Sequence, residues 1–265
     1  MRQASVMRFL VMTVGLVVGL VTPPGVTAQN ATPIAATPLP TAIAGGVPCT
    51  DLFGIATGNA CVIFLQASPD AGPIDVYFDD ELVLEGLAFG SLGDFIPVAT
   101  GADRRLQVVP SGATPTEAII DTSLDLGEGI AYEIAVMGPV ADAFPRVLAV
   151  DTRQPAEEVA RVRVVHAAPD GPSIDVAVAG GEILVEDLEY PDVAEYSEVP
   201  TGLYDLEARV AGTTDLALPL PGIVLAANTV YTIYVIGQVA DGSLGFTLIP
   251  VLISPDIAPV ATPTG

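Results

Sequence analysis

The chain contains no tryptophan and no lysine, and only one histidine and two cysteines among 265 residues. Each shortage closes off a class of chemistry. With His166, Cys49 and Cys61 as the whole inventory of imidazole and thiol, the chain is nearly empty of the ligands a zinc site prefers, and none is expected. All nine basic residues are arginine and face 32 acids, for a formal charge of −23. Binding to nucleic acid or to an anionic membrane surface needs clustered cations, so neither is expected as a partner. Without tryptophan the usual stacking platform for a sugar is missing, and tyrosine or phenylalanine would have to serve. No window of twelve or more residues after the N-terminal segment sustains a helical period, which argues against a helical fold.

The N-terminus reads as an export signal. Arg2 and Arg8 precede an apolar run from Phe9 to Val21, and Val26-Thr27-Ala28 offers small residues for cleavage after Ala28. The run is shorter than the roughly 20 residues a spanning helix needs, so no membrane association is expected once residues 1–28 are removed. Residues 29–48 are rich in Ala, Thr and Pro, as are residues 254–265, and neither stretch has the side chains to build a core. The first is expected to act as a disordered tether and the second as a disordered tail. The expected location is secreted or cell-surface. In that compartment Cys49 and Cys61 are expected to form a disulfide, worth about 3 kcal/mol on the chain-entropy model.

What the chain has in abundance is repetition. Ala67-Ser68-Pro69-Asp70 followed by Ile74-Asp75-Val76 returns as Ala167-Ala168-Pro169-Asp170 followed by Ile174-Asp175-Val176. Val98-Ala99-Thr100-Gly101 matches Val199-Pro200-Thr201-Gly202, and Tyr132-Glu133-Ile134-Ala135-Val136-Met137-Gly138 matches Tyr231-Thr232-Ile233-Tyr234-Val235-Ile236-Gly237. Short β-branched segments recur between Gly, Pro and Asp turns. They are Cys61 to Gln66, Ile74 to Phe78, Phe95 to Ala99, Leu106 to Val109, Ile130 to Met137 and Arg146 to Val150, with counterparts in the second half. In Ile74-Asp75-Val76-Tyr77-Phe78 the alternation puts the apolar residues on one face and Asp75 on the other. The reading is all-β: two tandem immunoglobulin-like or transthyretin-like antiparallel sandwiches, residues 49–156 and 157–253, each long enough to bury one core. A single merged sandwich with exchanged strands is the lesser alternative.

Arg163-Val164-Val165-His166-Ala167-Ala168-Pro169-Asp170, Ile174-Asp175-Val176, Thr201-Gly202-Leu203-Tyr204 and Tyr231 to Gly237 together resemble the bacterial domain-of-unknown-function 4397 family. The resemblance covers both repeats. It implies an extracytoplasmic β-sandwich module, often duplicated, and no established activity, cofactor or catalytic residue. The first repeat departs from the pattern: Gln66 replaces the motif histidine, and Arg104 or Arg105 stands near the place of Tyr204.

Few residues are candidates for chemistry. His166 would need a neighbouring nucleophile and an orienting acid to act as a base, and no Gly-x-Ser-x-Gly elbow exists. Asp70 and Asp170 follow proline in turns, where an Asp side chain bonds a nearby amide. Asp75 and Asp175 are acids flanked by core residues and placed alike in both repeats. With Asp70 and Asp170 they are the candidate ligands for Ca²⁺, the one cofactor these oxygens would suit. Hydrogen bonds to neighbouring turns are the competing role. The function expected is a non-enzymatic structural or binding module of the envelope or extracellular space, contacting a protein or glycan through strand-end loops. A Ca²⁺-dependent adhesion or matrix module is the second hypothesis and a hydrolase the third.

Overall fold

Sixteen strands alternate with tight turns in the computed structural model, which describes residues 57–253. The expected signal, tether and tail, with Cys49, lie outside the described residues. The first half supplies β1 (Asn59–Gln66), β2 (Ile74–Phe78), β3 (Glu81–Leu87), β4 (Ile96–Ala99), β5 (Gly101–Pro110), β6 (Ile120–Leu126), β7 (Ala131–Met137) and β8 (Phe144–Ala149). The second half supplies β9 (Val159–His166), β10 (Ile174–Val178), β11 (Ile183–Leu188), β12 (Ser197–Pro200), β13 (Gly202–Val210), β14 (Leu216–Leu225), β15 (Thr229–Ile236) and β16 (Gly245–Leu252).

Each half closes on itself as two four-stranded sheets. The orders are β4-β1-β7-β8 and β3-β2-β5-β6 in the first, and β12-β9-β15-β16 and β11-β10-β13-β14 in the second. No strand is exchanged, so the tandem reading holds, in the transthyretin-like order. Pairing is antiparallel except for β1 with β7 and β9 with β15, which run parallel. The segmentation read from sequence lacked β3, β6, β11 and β14. These are the edges of the two sheets that face away from the other repeat. Gly86 breaks the pattern of β3, and β14 holds both Pro219 and Pro221, which only an edge strand accommodates, whereas β6 alternates from Ile120 to Leu126.

The two sandwiches are not beads on a string. β1 is buried on both faces: Ala60, Val62 and Phe64 enter the first sandwich's own core, while Cys61, Ile63 and Leu65 enter a third core shared between the repeats. β15 behaves alike, with Tyr231, Ile233 and Val235 in the second sandwich's core and Val230, Tyr234 and Ile236 in the shared one. Near-continuous apolar strands such as Ala131–Met137 are the sequence mark of a sheet covered on both sides. The result is a four-layer stack of outer, inner, inner and outer sheets with three cores.

Eight strands lie at sheet edges, where bare ladders invite association. Proline interrupts β4 (Pro97), β8 (Pro145), β12 (Pro200), β14 and β16 (Pro250), and acids stud β3 (Glu81, Glu85), β6 (Asp121, Asp125) and β11 (Glu186, Asp187).

Candidate functional site

The repeated motif occupies the turn that leaves each inner sheet for its outer sheet. In the second repeat β9 ends on His166, which is 1% exposed. The Ala168 N–H donates to His166 Nδ1 at 3.3 Å, and Nε2 lies 2.9 Å from the Pro172 carbonyl. A carbonyl only accepts, so the proton sits on Nε2 and the ring is neutral. Burial pushes the imidazole below its ordinary value, against the Pro172 carbonyl, which favours the charged form. In the first repeat Gln66 makes the same pair of contacts. The Ser68 N–H donates to Gln66 Oε1 at 2.8 Å, and Gln66 Nε2 donates to the Gly72 carbonyl at 2.8 Å. The departure of the first repeat from the motif is therefore an exchange of one acceptor-and-donor side chain for another. Gly171 leaves the ring its room: a Cβ there would stand 2.8 Å from His166 Cε1.

The four acids named from sequence hold backbone as well. Asp70 accepts the Val140 N–H at 2.8 Å, and Asp170 accepts those of Val239 and Ala240 at 2.8 and 2.9 Å. Both ties bind the motif turn to the turn joining the last two strands of the same inner sheet. Asp75 accepts the N–H groups of Gly86 (2.7 Å) and Gly112 (2.9 Å). Asp175 accepts those of Asp187 (2.8 Å) and Gly212 (2.9 Å). All four donors have positive φ, where an amide can turn in toward a carboxylate: 69° and 80° in the first repeat, 49° and 70° in the second.

Alternation puts Asp75 and Asp175 on the strand face opposite the core residues. They point away from the sandwich core, but the flanking turns close over them and leave them 4% and 5% exposed. Burial alone would raise the Asp75 carboxyl. The amides of Gly112 and Gly86 and the Ser111 hydroxyl outweigh it and hold the group below the ordinary carboxylate range. Among the described residues no three His, Cys, Asp or Glu side chains gather as a metal site. Cys61 is buried in the shared core and is not free, while Cys49 lies outside the described residues.

The polar group that sequence reading missed lies between the repeats. Glu133, 1% exposed, accepts the Thr232 hydroxyl at 3.0 Å, the Tyr234 hydroxyl at 3.1 Å and Arg163 Nη2 at 3.1 Å. Arg163 Nε also donates to Thr232 Oγ1 at 2.9 Å, and its guanidinium stacks 4.7 Å over the Tyr196 ring. Burial pushes the Glu133 carboxyl above its ordinary value, against Arg163 and the two hydroxyls. An acid amid the apolar residues of Ala131–Met137, matched by Thr232 in the second repeat, was the available signal.

Two tandem transthyretin-like sandwiches whose shared polar residues brace turns define a duplicated β-module. The family described as a domain of unknown function, DUF4397, matches residues 60–177 and 160–255, and the chain belongs to it. A search of curated proteins finds no match. Two solved structures align over much of the chain. One is the family 26 carbohydrate-binding module CBMbc from Eubacterium rectale Amy13K, in complex with maltoheptaose. It is 12% identical with a TM-score of 0.22, over 75% of this chain and 98% of that one. The other, titled for alpha-glucan binding by a streptococcal virulence factor, is 10% identical with a TM-score of 0.23, over 71% and 97%. Scores this low carry no argument about ligand.

Proposed function

We propose that this protein is an exported, non-catalytic module that binds an envelope or extracellular protein or glycan through loops at the ends of its strands. One observation carries the reading: the polar side chains the two repeats share in their motif are spent on backbone groups of their own turns. A general base must reach a substrate proton, and His166 has both nitrogens engaged beneath the surface. A small cavity of about 10 Å³ beside His166, Ile174 and Leu218 has room for about one water and none for a substrate. The motif instead makes the loops stiff. Asp70 and Asp170 join two turns at one end of each sandwich, and a loop held in one shape costs less to order on binding. Export is supported by Arg2, Arg8 and the run from Phe9 to Val21.

The test pairs binding with turnover. The purified chain is applied to arrays of surface polysaccharides and extracellular proteins while ester, glycoside and peptide chromogenic substrates are assayed. The expected result is retention on a subset of array spots with no turnover. Turnover that disappears in His166→Gln or Asp175→Asn would overturn the reading.

A further inference from the structure

We propose that the face between the repeats is a fused isologous dimer interface, and that unlike side chains on its pseudo-two-fold axis let a first repeat pair only with a second. The partner this face fits is the opposite repeat of the same chain.

The symmetry is visible in mirrored contacts. Thr247 and Arg146 are equivalent: one stands opposite Tyr234 in β16, the other opposite Ala135 in β8. Gly90 and Pro191 each follow the matched aromatics Phe89 and Tyr190. Thr247 Oγ1 donates to the Gly90 carbonyl at 3.0 Å, and Arg146 Nη2 donates to the Pro191 carbonyl at 2.9 Å. A contact from second repeat to first thus recurs from first to second, the defining relation of an isologous interface. The axis is marked by Glu133 and Thr232. They are equivalent positions, paired in parallel register with the equivalents Ile63 and Arg163, and they touch each other at 3.0 Å. Only a residue on a two-fold axis meets its own counterpart.

Around that axis the repeats have diverged. The first offers Ile63, Glu133 and Ala135 where the second offers Arg163, Thr232 and Tyr234. Two first repeats face to face would press two Glu133 carboxylates together with Ile63 where the guanidinium is needed. Two second repeats would bury two Arg163 side chains with no acid. Each like pairing buries charge without compensation, whereas the unlike pairing sets the Glu133 carboxylate against the Arg163 guanidinium. The linker through residues 150–158 supplies proximity and adds Val150 to the shared core.

The experiment uses the full chain with a site-specific protease sequence inserted after Arg153, whose side chain is 78% exposed. The cleaved protein is examined by native mass spectrometry and gel filtration across a dilution series. Cleaved wild type is expected to persist as one first repeat with one second. Separate pieces, or like-with-like pairs, would overturn the proposal. Thr232→Glu, which sets carboxylate against carboxylate on the axis, is expected to weaken the association at least about a hundredfold. Thr232→Gln, a neutral partner for Glu133, is expected to keep it. Thr232→Glu holding as tightly as wild type would also overturn the proposal. If Thr232→Glu fails to fold, the exchange variant I63R/E133T/A135Y/R163I/T232E/Y234A decides. It moves the network across the axis, so retained unlike pairing supports the proposal and dissociation contradicts it.

Discussion

Replacing His166 with glutamine leaves the motif turn of the second repeat braced, while alanine removes the brace. The ring supplies two hydrogen bonds, to the Pro172 carbonyl and from the Ala168 N–H. Each is worth about 1 kcal/mol, and alanine also leaves a buried donor and acceptor unpaired, so His166→Ala is expected to cost about 2–4 kcal/mol. His166→Gln reproduces the geometry of Gln66 and is expected to cost less than about 1 kcal/mol. The glutamine also removes a pH dependence. Because burial lowers the folded imidazole's affinity for a proton, the unfolded chain binds more protons below the ordinary value of 6.5. Wild-type stability is therefore full above that pH. It falls as pH drops through 6.5 toward the lower folded value, with a slope of at most about 1.4 kcal/mol per pH unit. Glu133 contributes with the opposite sign, since its folded value is raised, but equally in both proteins. Urea unfolding of wild type and both variants between pH 5 and 8 isolates the difference. His166→Gln as damaging as His166→Ala, or a wild-type slope that survives in His166→Gln, would refute the account of this residue.

Asp75→Asn and Asp175→Asn each turn one acceptor into a donor facing an amide and are expected to cost about 1–3 kcal/mol in denaturant titration. Asp75 also adds an acid limb: its lowered folded value gives stability that is complete above the ordinary 3.8 and lost as pH falls through the folded value, a limb Asp75→Asn should lack. The melting temperature is expected to be the same in Ca²⁺ and in EDTA, since these carboxylates hold backbone amides; a rise with Ca²⁺ would restore the cation reading. A non-reducing mass two hydrogens below the reduced value is expected for a Cys49–Cys61 bridge, and detection of two free thiols would dismiss it.

Much of this architecture is legible in the chain because a duplicated sequence states its register twice. Ile74–Phe78 and Ile174–Val178 alternate as strands with one face in a core, and both fall where the alternation puts them. The outer edge strands β3 and β14 are not legible, because each holds residues that blur a strand pattern: Gly86 in β3, Pro219 and Pro221 in β14. Asp75 shows a different limit. Its side of the sheet follows from periodicity, but its burial comes from the Gly86 and Gly112 turns, which lie 11 and 37 residues away. Glu133 needs both repeats at once, since its partners Thr232 and Tyr234 are 99 and 101 residues distant.

The shared core and its Glu133–Arg163 pair are expected to make the two sandwiches one cooperative body. Differential scanning calorimetry of the whole chain, with Arg163→Met alongside, tests it most directly. One transition is expected in wild type, with equal calorimetric and van't Hoff enthalpies. Arg163→Met is expected to lose about 3–5 kcal/mol, from leaving Glu133 buried without its cation. Two resolved transitions in wild type, only one of them shifted by Arg163→Met, would contradict it.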